Sequence, residues 1–337
     1  MPYRLHPFRI ALSWLLLFIS GAIAGQGLTF EILRQGTDYS DSSFYDIQPK
    51  NENEYWIAGK YGIFKTINSD YEVKNVACNT GGLDVYKLDS AHGISMGCGD
   101  LGSVYTYDSA NDSWKQRRVK GYEKSCFYHI EICNPNSIFI CGGVSAIAHS
   151  KKRIPHGFIL HSSDGGLTWK EVYSNPFQMV WTVEYDTKTN LLYALMYSPN
   201  RTLIYKSSDG VTWKKDKNLR RGIYQDLQIN ENDIIAMGGE PWGNGRLKAN
   251  EDLTLFNDTG IIWSRTEHDG AEYLTASKGI LISRNESHTE IFKIPLNLEF
   301  NLYELTFITS DAGFIVGSGG TIIKVIRHTA PSANVQE

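Results

Sequence analysis

An excess of positive charge is the first thing the sequence lacks. Its 33 lysines and arginines are outnumbered by 37 aspartates and glutamates, for a formal net charge of -4. That excludes the basic surface nucleic-acid binding needs. No H-E-x-x-H zinc motif and no Walker-type phosphate loop occurs. Five cysteines (Cys78, Cys98, Cys126, Cys133 and Cys141) match no zinc spacing, and no histidine pair accompanies them. In an oxidising compartment an odd number leaves at least one thiol over. A local disulfide and buried thiols packing as small hydrophobes both remain open. No metal ion, cofactor or catalytic residue is implied by these patterns.

The N-terminus reads as targeting. "MPYRLHPFR" carries two arginines, "IALSWLLLFI" is apolar, and "SGAIAG" ends in small residues with Ala22-x-Ala24. These parts predict a signal peptide over residues 1–24, cleaved after Ala24, and a secreted or periplasmic mature chain. The apolar run is shorter than the roughly 20 residues of a membrane-spanning helix, so no stable membrane insertion is expected after cleavage. Residues 25–328 then form one domain and 329–337 a polar tail.

Glycine, tyrosine, tryptophan, isoleucine and valine are prominent, which suits short strands joined by tight turns. They recur in a phrase of apolar strand, Asn/Asp/Gly turn and second strand ending at glycine. Instances are "FYDIQPKNENEYWIAGKYGIFKT" from Phe44, "FYHIEICNPNSIFICGG" from Phe127 and "LYELTFITSDAGFIVGSGGTIIKV" from Leu302. A short third strand follows most copies. Seven copies at a period of about 40 residues match the scale of a four-stranded propeller blade. The last copy stops after its third strand, while a lone strand opens the mature chain at residues 28–36. The sequence therefore predicts an all-β, seven-bladed propeller of four-stranded antiparallel blades, closed by its N-terminal strand. Residues 242–260 read as a loop or a distorted outer strand, and "SAIAHSKKRIPHG" as an insertion.

Two stretches, "FILHSSDGGLTWKEV" from Phe158 and "LIYKSSDGVTWKKD" from Leu203, repeat one polar turn. The first fits Ser-x-Asp-x-Gly-x-Thr-Trp with Ser162, Asp164, Gly166, Thr168 and Trp169. The second fits it one residue shorter, with Ser207, Asp209, Gly210, Thr212 and Trp213. "YDSANDSW", residues 107–114, is a worn version. This pattern resembles the Asp-box, the bacterial neuraminidase repeat, which implies a hairpin between a blade's third and fourth strands. An Asp in a turn accepts backbone N–H bonds and Gly supplies positive φ. The aspartates accordingly read as structural.

Together with "EYWIAGKYGIFKT" (54–66) and "DAGFIVGSGGTIIKV" (311–325), these turns resemble the photosystem II stability/assembly factor-like propellers. The resemblance implies a non-enzymatic helper that holds a protein or glycan partner. The alternative is a carbohydrate-active enzyme of the sialidase or glycoside hydrolase type. A sialidase would need an arginine triad and a Tyr–Glu pair. "RIP" at residues 153–155 is misplaced for that role, and Glu184–Tyr185 is a pair that chance supplies. Candidate partner-binding residues are Arg220, Arg221, Trp242 and Arg246, because Trp and Arg dominate binding hot spots.

Overall fold

The computed structural model describes residues 27–36, 43–51, 54–67, 72–76, 83–144, 156–198, 201–220, 223–230, 233–240, 243–248, 260–285 and 287–328. Residues 1–24, read above as a signal peptide, Cys78, the "RIP" motif, Arg221, Trp242 and residues 329–337 lie outside them. Among the described residues no helix is long and apolar enough to cross a membrane.

Seven antiparallel sheets follow one another along the chain. Their inner strands are Phe44–Pro49, Val85–Ala91, Ser125–Ile132, Met179–Asp186, Ile223–Asn230, Ile262–His268 and Leu302–Phe307, in blades 1 to 7. Six sheets have four strands; blade 5 has three among the described residues. The last blade is completed from the other end of the chain. Leu28–Arg34 pairs antiparallel with Ile322–Arg327, Leu28 opposite Arg327 and Ile32 opposite Ile323. This covers an edge that would otherwise present unpaired N–H and C=O groups.

The apolar core is divided among the junctions between blades. Among the described residues seven buried clusters are present, one per junction. Trp56, Leu88, Tyr105 and Trp114 fill the space between blades 1 and 2. Phe44, Ile47 and Tyr55 meet Phe314, Val316 and Ile322 between blades 1 and 7. The ring is thus closed by side chains as well as by strand pairing. Each buried residue of this size contributes about 1.5–3 kcal/mol.

The glycines that end the second strands have a steric reason. A Cβ on Gly99 would lie 2.1 Å from the Asp84 carbonyl oxygen, and on Gly142 2.0 Å from that of Cys126. At Gly317 the corresponding distance is 2.2 Å, to Asn301. Here the second strand, at or near its end, is pressed against the backbone at the start of the inner strand, and only glycine fits.

Two readings left open by the sequence are resolved. Gly243–Lys248, read as a loop or a distorted outer strand, is a third strand paired with Asp233–Glu240, Arg246 opposite Met237. Its glycines and single apolar residue hide the alternation, but the neighbouring strand supplies a complete ladder. Among the cysteines, Cys98, Cys133 and Cys141 are thiols, and the Cys126 thiol donates to Asp100 Oδ1 at 3.1 Å.

Candidate functional site

Every inner strand breaks register near its start. The shift falls between Phe44 and Asp46, Val85 and Lys87, Phe127 and His129, Val180 and Thr182, Tyr224 and Asp226, Ile262 and Ser264, and Leu302 and Glu304. A bulge re-aims the extra side chain. The extra residues are Tyr45, Tyr86, Tyr128, Trp181, Gln225, Trp263 and Tyr303: six aromatics and one glutamine around the ring.

The aromatics touch in sequence around the axis. Ring centroids are 5.5 Å apart for Tyr45 and Tyr86, 5.8 Å for Tyr86 and Tyr128, and 4.6 Å for Tyr128 and Trp181. Trp263 and Tyr303 are 4.9 Å apart, and Tyr303 closes onto Tyr45 at 5.8 Å. Gln225 is the gap in this belt. All seven residues are half-buried. Hydrogen bonds fix the rings: Tyr45 donates to Asp84 Oδ2 at 3.3 Å, Tyr86 to Asp100 Oδ1 at 2.9 Å, and Trp263 Nε1 to Ser277 Oγ at 3.1 Å. Burial, followed by the nearby carboxylates of Asp84 and Asp100 respectively, pushes the Tyr45 and Tyr86 phenols well up, so both are neutral donors.

Immediately after each bulge comes a second ring, Asp46, Lys87, His129, Thr182, Asp226, Ser264 and Glu304, and two residues later a third with Asp89, Glu131 and Glu184. The axis is acid-rich. Lys87 Nζ lies 3.4 Å from Asp46 Oδ1 and 3.7 Å from Glu304 Oε2. Burial alone would lower its ammonium, yet Asp46 and three further carboxylates hold it well above its ordinary value. Burial raises the carboxyl of Asp226 to about 6 and that of Glu304 to about 8 against the pull of Lys87. Glu131 is pushed well up by burial, then by Glu184 and Asp89.

Three of the acids staple neighbouring blades. Asp46 accepts from Leu88 N at 2.7 Å, Asp89 from Ile132 N at 2.7 Å, and Glu131 from Tyr185 N at 3.2 Å. Glu184 instead faces His129, with Oε1 3.3 Å from Nε2. His129, Glu184 and Asp226 offer ligand-type atoms that all lie within 4.8 Å of one another. They are the described residues best placed to hold a metal ion.

The repeated Asp turns sit elsewhere. Each inner strand runs away from the aromatic belt, the second returns and the third runs away again, so hairpins between third and fourth strands lie at the opposite end. Ser162–Trp169 joins Gly157–Ser162 to Lys170–Asn175, and Ser207–Trp213 joins Arg201–Ser207 to Lys214–Arg220. Asp164 Oδ1 accepts from Thr168 N at 2.9 Å and Leu167 N at 3.1 Å, and Oδ2 from Thr168 Oγ1 at 2.6 Å. Asp209 Oδ1 accepts from Thr212 N at 2.6 Å and Val211 N at 2.9 Å. Ser162 and Ser207 receive Gly166 N and Gly210 N, and both glycines have positive φ. These bonds, Thr168's first, hold the Asp164 carboxyl down at about 2; the Thr212 N–H leads in lowering Asp209. Trp169 and Trp213 pack against the cores of the 2–3 and 3–4 junctions.

The other sequence candidates lie on other strands. Arg220 ends an outer strand and Arg246 lies in a third strand, apart from the inner strands that build the belt. Glu184 and Tyr185 are adjacent on a strand and point to opposite faces: Glu184 to the axis, Tyr185 to the apolar cluster between blades 3 and 4, its hydroxyl donating to Asn190 at 2.8 Å. The only inner-strand arginine, Arg265, stands in a blade junction and pairs with Glu272 and Glu267. The string Gly93-Ile94-Ser95-Met96-Gly97 fits G-x-S-x-G but spans a hairpin turn and the strand Ile94–Gly99, with Ser95 bonded to Ser90 at 2.9 Å. A nucleophile elbow would join a strand to a helix. A shallow cavity of about 370 Å³ beside the closing strand is lined by Gly27, Tyr273 and the Arg327–Asp269 pair.

Neither a protein-family model nor a curated relative matches the sequence. Solved structures do match in fold. One is a YCF48 bound to D1 peptide, with a TM-score of 0.64 and 13% identity over 90% of this chain and 96% of that one. YCF48 from Cyanidioschyzon merolae gives 0.61 and 14% over 88% and 98%. The Neurospora crassa Pan2 WD40 domain gives 0.61 and 10% over 91% and 97%.

Proposed function

We propose that this propeller is an exported, non-catalytic scaffold that holds a protein partner by a peptide segment laid over the aromatic belt. The belt carries the reading. Six half-buried rings at one mouth of the axis, three of them (Tyr45, Tyr86 and Trp263) anchored by hydrogen bonds, form an apolar platform, and Tyr and Trp are the residues from which binding hot spots are built. A propeller of similar fold is known bound to a D1 peptide, so a peptide is a suitable occupant for such a ring. The acids beneath the belt favour a basic segment. That choice departs from a search for arginines on this chain. The partner belongs outside the cytoplasm if the N-terminal segment acts as the signal it resembles.

In this reading Asp164 and Asp209 are Asp-box turn residues at the end away from the partner. A glycosidase role draws little support. A glycosidase needs two acids facing each other across a cleft, whereas Glu184 and Asp226 come from adjacent inner strands on one side of the axis and Glu184 faces His129.

The test is a titration of the chain from Gly25 with short basic, neutral and acidic peptides, followed by tryptophan fluorescence, beside a sialoside and polysaccharide hydrolysis panel. Basic peptides should bind, and Tyr86→Ala or Trp181→Ala should weaken them by about 2 kcal/mol, roughly 30-fold. Sugar release abolished by Glu184→Gln would overturn the proposal. Sugar binding without turnover would replace the peptide by a glycan.

A further inference from the structure

The charges on the axis are unevenly answered. On the arc of blades 7, 1 and 2, Lys87 serves Asp46 and Glu304. On the arc of blades 3, 4 and 5 the inner strands contain no lysine or arginine. Asp89 and Glu131 each take a backbone N–H from the next blade. Glu184 and Asp226 take none from a neighbouring blade among the described residues: Glu184 accepts from Thr182 Oγ1 at 3.4 Å and Asp226 from the Leu227 N–H of its own strand, and both stand beside His129. This imidazole is 6% exposed. One nitrogen meets Glu184 at 3.3 Å; the other, Nδ1, is buried with no hydrogen-bond partner among the described residues. A buried imidazole and two half-buried carboxylates thus meet on this arc with no lysine or arginine of these strands to answer them, an unfavourable arrangement.

We propose that His129, Glu184 and Asp226, one residue from each of three successive blades, bind a single divalent transition-metal ion of the zinc class. A neutral imidazole and two carboxylates match the charge of such an ion and are ligands that zinc accepts, with the fourth tetrahedral position left to water. The set suits calcium and magnesium poorly, because those ions take six or more oxygen ligands. The atoms are already within 4.8 Å of one another. Drawing them to the roughly 2.0–2.2 Å of zinc bonds requires each to move by less than about 1 Å, within reach of side-chain rotation. The ion would give this arc what Lys87 gives the other. Asp89 and Glu131, facing the same space, add negative potential that attracts it; Lys87 opposes from across the axis. The site needs no peptide, so it stands or falls separately from the partner proposed above.

The test uses the chain stripped with a chelator. Zn²⁺ affinity is measured by competition with a chromophoric chelator, and the ligand set by the absorption of the Co²⁺ form. One equivalent of Zn²⁺ should bind, with Ca²⁺ and Mg²⁺ failing to compete, and the Co²⁺ spectrum should lack a thiolate charge-transfer band. Glu184→Gln, Asp226→Asn and His129→Gln should each weaken Zn²⁺ binding by at least about 10-fold. The two carboxamide variants should at the same time melt higher than the stripped parent, since each removes a charge from an over-acidic axis. That gain separates lost ligation from misfolding. Glu304→Gln, on the Lys87 side, should weaken Zn²⁺ binding less than any of the three ligand substitutions. Absence of stoichiometric binding, binding that survives all three ligand substitutions, or a thiolate band pointing to the cysteines would overturn the proposal.

Discussion

Tyr303 in the last blade and Tyr45 in the first stand ring to ring, centroids 5.8 Å apart and planes inclined at 56°. Their contact carries the aromatic belt across the seam where the chain's two ends meet. The seam depends on Leu28–Arg34 covering Ile322–Arg327, so the belt and the closing strand are mechanically linked. Deleting residues 28–34 should leave an unpaired strand edge, lower the melting temperature and produce concentration-dependent self-association in light scattering. A monodisperse truncated chain that melts like the parent would separate closure from the N-terminal strand.

Gly99→Ala tests the packing of second strand against inner strand. The new Cβ would meet the Asp84 carbonyl oxygen at 2.1 Å, and because the obstacle is backbone no rotamer relieves it. The expected loss is about 1–3 kcal/mol in chemical denaturation. Asp84 also accepts from Tyr45, so belt fluorescence should shift as well.

Stability should fall as pH rises through the neutral range in chelator-treated protein. Asp226 at about 6 and Glu304 at about 8 lie above the unfolded carboxyl value of about 4. Folded protein therefore holds their protons more tightly; their contribution is complete below about pH 4 and is lost as pH climbs through 6 and 8. Asp164 and Asp209 behave oppositely, contributing above about pH 4 and losing that contribution as pH falls toward 2. Thermal melts should peak on the acid side of neutrality, and Asp226→Asn should flatten the alkaline slope. A melting temperature that rises steadily from pH 5 to 8 would contradict the burial of these acids.

Asp164→Ala should lower the melting temperature, with a smaller deficit in acid, where the parent carboxylate is itself protonated. Partner binding should persist because the turn lies at the end remote from the belt. A melt unchanged at neutral pH would deny the turn its structural role.

The propeller was legible because each blade repeats a strand, a turn and a glycine that sterics demand. The closing strand was legible because blade 7 lacked its fourth strand. The belt was missed for a physical reason. Sequence alternation assigns adjacent residues to opposite faces, but a bulge at the start of each inner strand resets the count and turns both residues to new positions. The signal was present as a recurring triplet of aromatic, polar and aliphatic residues: Tyr45-Asp46-Ile47, Tyr86-Lys87-Leu88, Tyr128-His129-Ile130, Trp181-Thr182-Val183 and Tyr303-Glu304-Leu305. Gln225-Asp226-Leu227 loses the aromatic and Trp263-Ser264-Arg265 the aliphatic. Searching for exposed Trp and Arg in loops favoured Arg220 and Arg246, whereas the aromatics that converge come from the starts of inner strands. Gly243–Lys248 stayed open between loop and strand because five of its six residues are polar or glycine and mask its pairing with an apolar neighbour.

The most direct test of the belt as the partner site is site-specific photo-crosslinking in the protein's own compartment. The photoreactive residue would replace Tyr86 at the belt or Val211, 53% exposed on the opposite hairpin. The account predicts one discrete adduct from position 86, abolished by Trp181→Ala in the same chain and by added basic peptide, and none from position 211. An adduct from position 211 alone, or equal capture at both ends, would contradict it.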